Sequence, residues 1–136
     1  MIKQLAHVCI ITRDLKKTVQ FYQALGLKPH FKFIKDKKVF GYYLASGAGT
    51  FVEVFENKGL KKSDAGALRH ICFLVDDLKK LEKQLTRKKI KHAEPKFAVD
   101  QSWQMWTEDP NGVKIEFHEY TKASTQITGK DCNVTW

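Results

Sequence analysis

HVCIITRDLKK, residues 7–17, and HICFLVDDLKK, residues 70–80, are two copies of one segment. Six of the eleven positions are identical, and the offset between the copies is 63 residues. The same offset carries Gly49 onto Gly112, Glu53 onto Glu116 and Glu56 onto Glu119. One register held without a net gap over some fifty residues marks a duplicated module. An internal repeat of this kind constrains the fold before any local reading does.

Outward from the two segments, each copy reads the same way. Residues 5–11 alternate and are rich in Ile and Val, which predicts a strand. Asp14 stands where a helix N-cap would, and Leu15, Val19, Tyr22 and Leu25 follow at helical spacing. Gly26 ends the helix. Strands are expected near 28–34, 39–45 and 50–56, with Gly47 and Gly49 at the last turn. The second copy has a strand at 68–75, a helix at 77–88 and strands near 91–98, 102–108 and 113–120. Asp109-Pro110-Asn111-Gly112 is a strong turn signal. The expected fold is α+β, two tandem βαβββ modules (about 4–57 and 67–120) making a single domain over 1–120. Residues 57–67 connect the copies, and 121–136 form a tail without clear period.

The chain has 136 residues, 43% hydrophobic and 29% charged, which is the composition of one packed core rather than a disordered chain. Against 15 acidic residues stand 24 Lys and Arg, a net charge of +9. The lysines are scattered over turns and helix faces, and no basic-aromatic motif appears, so nucleic acid is not an expected partner. The charge is compatible with attraction of a small anion. No apolar run approaches the ~18 residues of a membrane span. The first residues lack the pattern of a signal peptide, and the expected location is cytoplasmic. Three cysteines, Cys9, Cys72 and Cys132, are too few and odd in number for a disulfide framework.

Side chains on a strand alternate between faces. His7 therefore shares a face with Cys9, His70 with Cys72, Glu53 with Phe51 and Phe55, and Glu116 with His118. Glu56 and Glu119 point the other way. If the copies pair about a pseudo-twofold axis, His7, Glu53, His70 and Glu116 gather in one cleft. Two nitrogens and two oxygens suit one divalent Ni, Co, Zn, Mn or Fe ion better than Ca or Mg. A lone His on a strand is ordinarily packed or on the surface; recurrence of all four residues at one offset argues for a ligand set. His30 and His92 have no counterpart at that offset and read as surface residues. His118, opposite Phe55 in the repeat, reads as cleft lining, and Cys9 and Cys72 as packing.

With those residues in view, the sequence resembles the glyoxalase, or vicinal oxygen chelate, superfamily over residues 4–120. The markers are the opening His7 strand, Phe21-Tyr22 followed by Leu25-Gly26-Leu27, the Phe51–Val54 run, Arg69–Phe73, and Glu108–Phe117 with its Asp-Pro-Asn-Gly turn. The resemblance implies paired βαβββ modules around a metal-holding cleft. It implies a metal-dependent lyase or isomerase similar to glyoxalase I, with His7, Glu53, His70 and Glu116 as ligands. It also implies that Glu116 moves a proton between adjacent carbons, with Glu53 as its mirror partner. Asn57 matches a family position that contacts glutathione, whereas Ile11 stands where the family has a glutathione-holding arginine. The substrate expected is a small molecule, anionic or thiol-conjugated, and the assembly a homodimer. Other branches of the superfamily are extradiol dioxygenases, acyl-CoA epimerases and non-catalytic proteins that sequester drugs. The complete His-Glu-His-Glu set favours isomerase or lyase chemistry among these.

Overall fold

The structure is a computed structural model that describes residues 5–60, 70–130 and 132. The chain divides into two compact units: unit 1 takes residues 1–64 with Asp109–Asn111, and unit 2 takes 65–108 with 112–136. Part of the connection between the repeats, and Arg69, lie outside the described residues.

Unit 1 contains β1 (His7–Thr12), α1 (Leu15–Ala24), β2 (Lys28–Lys35), β3 (Lys38–Gly47) and β4 (Thr50–Glu56). The sheet order is β1-β4-β3-β2, with β1 parallel to β4 and the other pairs antiparallel. Asp14 caps α1 by accepting a hydrogen bond from the Lys17 N–H, which satisfies a donor the first helical turn leaves open. Leu25 closes the helix, and Gly26 follows at φ 105°, where a side chain would be strained. Leu15, Thr18, Val19 and Tyr22 are the buried side of α1. With Ile10, Leu44, Val52 and Val54 they form the core of this unit. The Tyr22 hydroxyl donates to Asp109 Oδ2 at 3.0 Å. Thr12 Oγ1 donates to Asn111 Oδ1 at 2.6 Å and also lies 2.9 Å from Thr18 Oγ1. These bonds give the buried hydroxyls partners that an apolar surround would deny them.

Unit 2 repeats the plan with β5 (Ile71–Leu74), α2 (Leu78–Arg87), β6 (Lys96–Phe97), β7 (Ser102–Glu108) and β8 (Lys114–Tyr120), in the order β5-β8-β7-β6. Asp77 caps α2 through the Lys80 N–H, and Glu119 Oε2 accepts from the Leu78 N–H at 2.7 Å. Leu78, Leu81 and Leu85 are buried, as are Met105, Ile115 and Phe117 on the sheet. The repeat is kept at the level of pairing: Cys9 faces Glu53 across β1 and β4, and Cys72 faces Glu116 across β5 and β8. The α+β fold expected from the duplication is therefore present, as two four-stranded mixed sheets each backed by a helix.

Two expectations change. The strand at 91–98 shrinks to Lys96–Phe97, with only an isolated bridge from His92 to Thr107 before it. Pro95 sits between them and has no N–H to give the ladder. The tail, aperiodic in sequence, carries the one-turn helix α3 (Thr125–Thr128). Its approach is tied to the Asp100–Gln101 turn: Thr121 Oγ1 and Ser124 Oγ both donate to the Gln101 carbonyl at 2.8 Å.

Candidate functional site

One face of each sheet packs on its helix, and the other holds the repeated polar residues. In β1 the exposure alternates, with Ile10 and Thr12 buried and His7, Cys9 and Ile11 exposed. Glu53 lies beside that exposed row, facing Cys9 on one side and Tyr43 on the other. His7 Nε2 is 3.8 Å from Glu53 Oε2, and the Tyr43 hydroxyl is 3.2 Å from His7 Nδ1. Around this pair the open face is aromatic. Tyr43 stacks on Phe31 and Phe51 with ring centroids 4.7 and 4.5 Å apart, and Phe33 meets Phe55 at 4.6 Å. Gly41 is what lets Phe55 lie down there: a Cβ at that position would come 2.5 Å from the ring.

Unit 2 makes the same arrangement with a different surround. His70 Nε2 is 3.2 Å from Glu116 Oε2, and the His70 ring meets Trp106 edge-on at 5.0 Å. Trp106 faces Glu116 across β7 and β8 and stands 63 residues after Tyr43. Each histidine thus has a carboxylate and an aromatic ring at equivalent positions. Glu116 is 7% exposed and His118 8%, so these ionisable groups are buried. His118 Nε2 lies 3.0 Å from Glu116 Oε1, yet its direction makes no hydrogen bond, and it is a buried polar atom without one. Its Nδ1 is 4.0 Å from Asp100 Oδ2. Asp100 accepts from Ser102 Oγ at 2.8 and 2.9 Å, from the Ser102 N–H at 3.1 Å and from Gln126 Nε2 at 2.6 Å. Burial works against its charge, but the bonds from Gln126 and Ser102 and the nearby His118 outweigh that and hold the carboxyl below its usual 3.8.

The two cysteines beside the carboxylates are not packing residues. Both are exposed on the polar faces, because they alternate in step with His7 and His70 rather than with the core positions. Partial burial, with the bond and charge of Glu53, pushes the Cys9 thiol up to about 11. Burial, then the charge and bond of Glu116, pushes Cys72 up to about 12. Both are thiols rather than thiolates at neutral pH.

His7 with Glu53, and His70 with Glu116, are brought together within their own units as the repeat predicts. Asn57 lies just past β4, exposed, with Oδ1 accepting from the Gly59 N–H at 3.0 Å in a local turn. His30 is exposed, while His92 is half-buried with Nδ1 2.8 Å from the Ile90 carbonyl. Sequence reasoning missed Tyr43 and Trp106, although the same offset relates them, and undervalued His118. It also missed Asp100, which has no counterpart in the first copy. The donor set fits a divalent ion: imidazoles and carboxylates face each other at ion-pair distance in both units, and one buried imidazole nitrogen still lacks a hydrogen bond. No described helix is long and apolar enough to cross a membrane.

The profile described as "Glyoxalase/Bleomycin resistance protein/Dioxygenase superfamily" matches residues 4–117. Among solved structures, an integron cassette protein from the mobile metagenome of a Halifax Harbour sewage outfall is 26% identical, with 87% of this chain and 99% of that one covered and a TM-score of 0.70. A glyoxalase family protein from Enterococcus faecalis is 21% identical over 86% and 98% of the two chains, at a TM-score of 0.73. A lactoylglutathione lyase from Agrobacterium tumefaciens is 17% identical over 87% and 94%, at 0.67. The last two likenesses are of fold alone. No curated protein matches.

Proposed function

Because this chain belongs to the glyoxalase/bleomycin resistance protein/dioxygenase superfamily, we propose that it is a metal-dependent lyase or isomerase, similar to glyoxalase I, that moves a proton next to a carbonyl of a small substrate. The observation that carries the reading is the doubled His–Glu pair, 3.8 Å in unit 1 and 3.2 Å in unit 2, each on the open face of its sheet beside an aromatic ring. His7, Glu53, His70 and Glu116 are the proposed ligands of one divalent ion. When bound, such an ion stabilises the negative charge that builds up as a proton leaves a carbon beside a carbonyl.

The rest is the work of the chain. Glu116 accepts the proton from one carbon and returns it to the next, because a carboxylate is a competent base and its conjugate acid a competent donor. Only 7% exposed, its carboxyl holds the abstracted proton beside the substrate, and slow exchange with solvent at that stage is what carries deuterium into the substrate. Glu53, at the mirror position, is more open and is the secondary base. The ring face of Tyr43, Phe51 and Phe55 gives apolar substrate groups a surface to lie on. Net charge of +9 favours approach of an anionic or thiol-conjugated substrate. A homodimer fits the half-exposed Phe51, Phe55, Ile71 and Phe73.

The test combines elemental analysis of untagged protein with solvent deuterium exchange into a hemithioacetal and, separately, an acyl-CoA. The expected result is about one equivalent of a transition metal and exchange in one of the two substrates. In Glu116→Gln the amide oxygen can still ligate but cannot accept a proton, so exchange should fall by roughly 10²–10⁴-fold. Undiminished exchange in that variant at wild-type metal content removes Glu116 from the base role. Iron-dependent oxygen uptake with a catechol would replace the reading with a dioxygenase.

A further inference from the structure

The two units share a ligand pattern but not a full complement of donors. In unit 1, Cys9 and Glu53 face one another, and the next position on that face of β4 is Phe55. In unit 2, the corresponding residues are Cys72, Glu116 and His118. One donor atom from each of these three lies within 4.8 Å of the other two, the one such trio of His, Cys, Asp or Glu among the described residues. We propose that Cys72, Glu116 and His118 form a metal site carried wholly by unit 2, selective for a thiophilic divalent ion such as zinc or cobalt. The site goes beyond the reading above, is separate from its four-ligand set, and rests on it in one respect only, that Glu116 binds a divalent ion.

Four observations support the assignment. An ion that displaces the Cys72 thiol proton to solvent meets a thiolate, an imidazole and a carboxylate, a borderline-soft set that suits Zn or Co and disfavours Mg, Ca and Mn. His118 Nε2 is buried, lies 3.0 Å from Glu116 Oε1, and makes no hydrogen bond. A buried polar atom in that condition is costly unless something occupies its lone pair or proton. The other ring nitrogen faces Asp100, and metal-bound histidines ordinarily turn their second nitrogen to a carboxylate or carbonyl that fixes the ring. Asp100 is itself held by Ser102 and Gln126, so it can serve as that fixed partner. Finally, thiolate and imidazole on one tetrahedral ion sit about 3.5 Å apart, given bond lengths of about 2.3 and 2.0 Å. The three donor atoms already lie within 4.8 Å of one another.

Metal-free protein titrated with cobalt(II) tests this, read by the thiolate-to-cobalt charge-transfer absorption in the near ultraviolet. The expected result is an absorption that saturates near one equivalent, vanishes in Cys72→Ser and survives in His7→Ala. His118→Phe, which installs the residue unit 1 has at that place, should weaken cobalt binding by at least about 10-fold. Circular dichroism checks that the variants fold. Should His118→Phe not fold, Asp100→Asn is the second arm, with a loss of about 10–100-fold expected of an outer-shell partner. Cobalt bound without a thiolate absorption, and lost in His7→Ala, overturns the three-ligand site and leaves the four-ligand reading standing. An absorption that persists in Cys72→Ser also overturns it. No cobalt binding at all overturns both. The absorption present as described, with no deuterium exchange in either substrate, upholds this site and removes the proposed activity.

Discussion

Replacing Tyr22 with phenylalanine removes one oxygen and leaves the shape of the core intact. The ring is fully buried, and its hydroxyl donates to Asp109 Oδ2 at 3.0 Å. That carboxylate also accepts from the Asn111 backbone N–H at 2.8 Å and from Asn111 Nδ2 at 3.0 Å. A hydrogen bond to a charged acceptor is worth about 1.5–3 kcal/mol, and here the loss also leaves a buried carboxylate short of a donor. Tyr22→Phe should therefore cost about 2 kcal/mol, and a domain of this size should lose about 6–10 °C in Tm. Urea denaturation followed by fluorescence measures it, with the midpoint lowered and the slope unchanged. The dependence on pH gives a second readout. Burial first, then the charge and bond of Asp109, push the Tyr22 phenol well above its ordinary 10.0. The unfolded phenol releases its proton near pH 10 while the folded one keeps it, so this contribution is complete below pH 10 and declines as pH rises beyond it. The gap between wild type and Tyr22→Phe should narrow above pH 10. A cost under about 0.5 kcal/mol at pH 7, or a gap that widens in alkali, would refute the role given to the Tyr22–Asp109 bond.

Leu85→Ala empties a fully buried position on α2 and should cost about 2–5 kcal/mol in the same urea assay. Gly41→Ala places a Cβ 2.5 Å from the Phe55 ring and 2.8 Å from the Val54 carbonyl, so it should destabilise by about 1–3 kcal/mol and alter the near-ultraviolet dichroism of the aromatic face. In metal-free protein at pH 8, Cys9 and Cys72 should alkylate slowly, since thiols at about 11 and about 12 are only about a thousandth and a ten-thousandth thiolate there. Mass spectrometry should find Cys132 labelled first.

The fold was legible because the duplication and the helix signals agree. Asp14 and Asp77 cap the helices at equivalent places, and the shared offset turns up as a shared strand register. The same logic reached both His–Glu pairs, since period-2 alternation fixes which side chains share a face. It failed where the copies differ. Pro95 cuts a strand that composition alone supported, and Asp100, beside His118, stands in the β6–β7 turn where the first copy has Lys37 in its β2–β3 turn. The cysteines were misread because small apolar residues on strands are usually buried, whereas here they keep step with the open faces. A repeat exposes what two modules have in common; what one module alone acquired has to be read from contacts.

The tie between the tail and the Asp100 turn has a consequence for the order in which the protein is completed as it is made. The ribosome delivers the chain N-terminus first, at about 5–20 residues per second. All strands of the second sheet are synthesised by Tyr120, but Gln126 and Ser124, which grip Asp100 and Gln101, come after the last of them. The sheet can thus pair before Asp100 is fully fixed, and the polar cluster on it matures in a final step. A chain ending just after Tyr120, whether from a premature stop codon or from trimming by a carboxypeptidase, would keep every strand and lose the grip on Asp100. Ser124 and Gln126, which follow the last described strand, are in this sense part of the site, although neither lies on a strand.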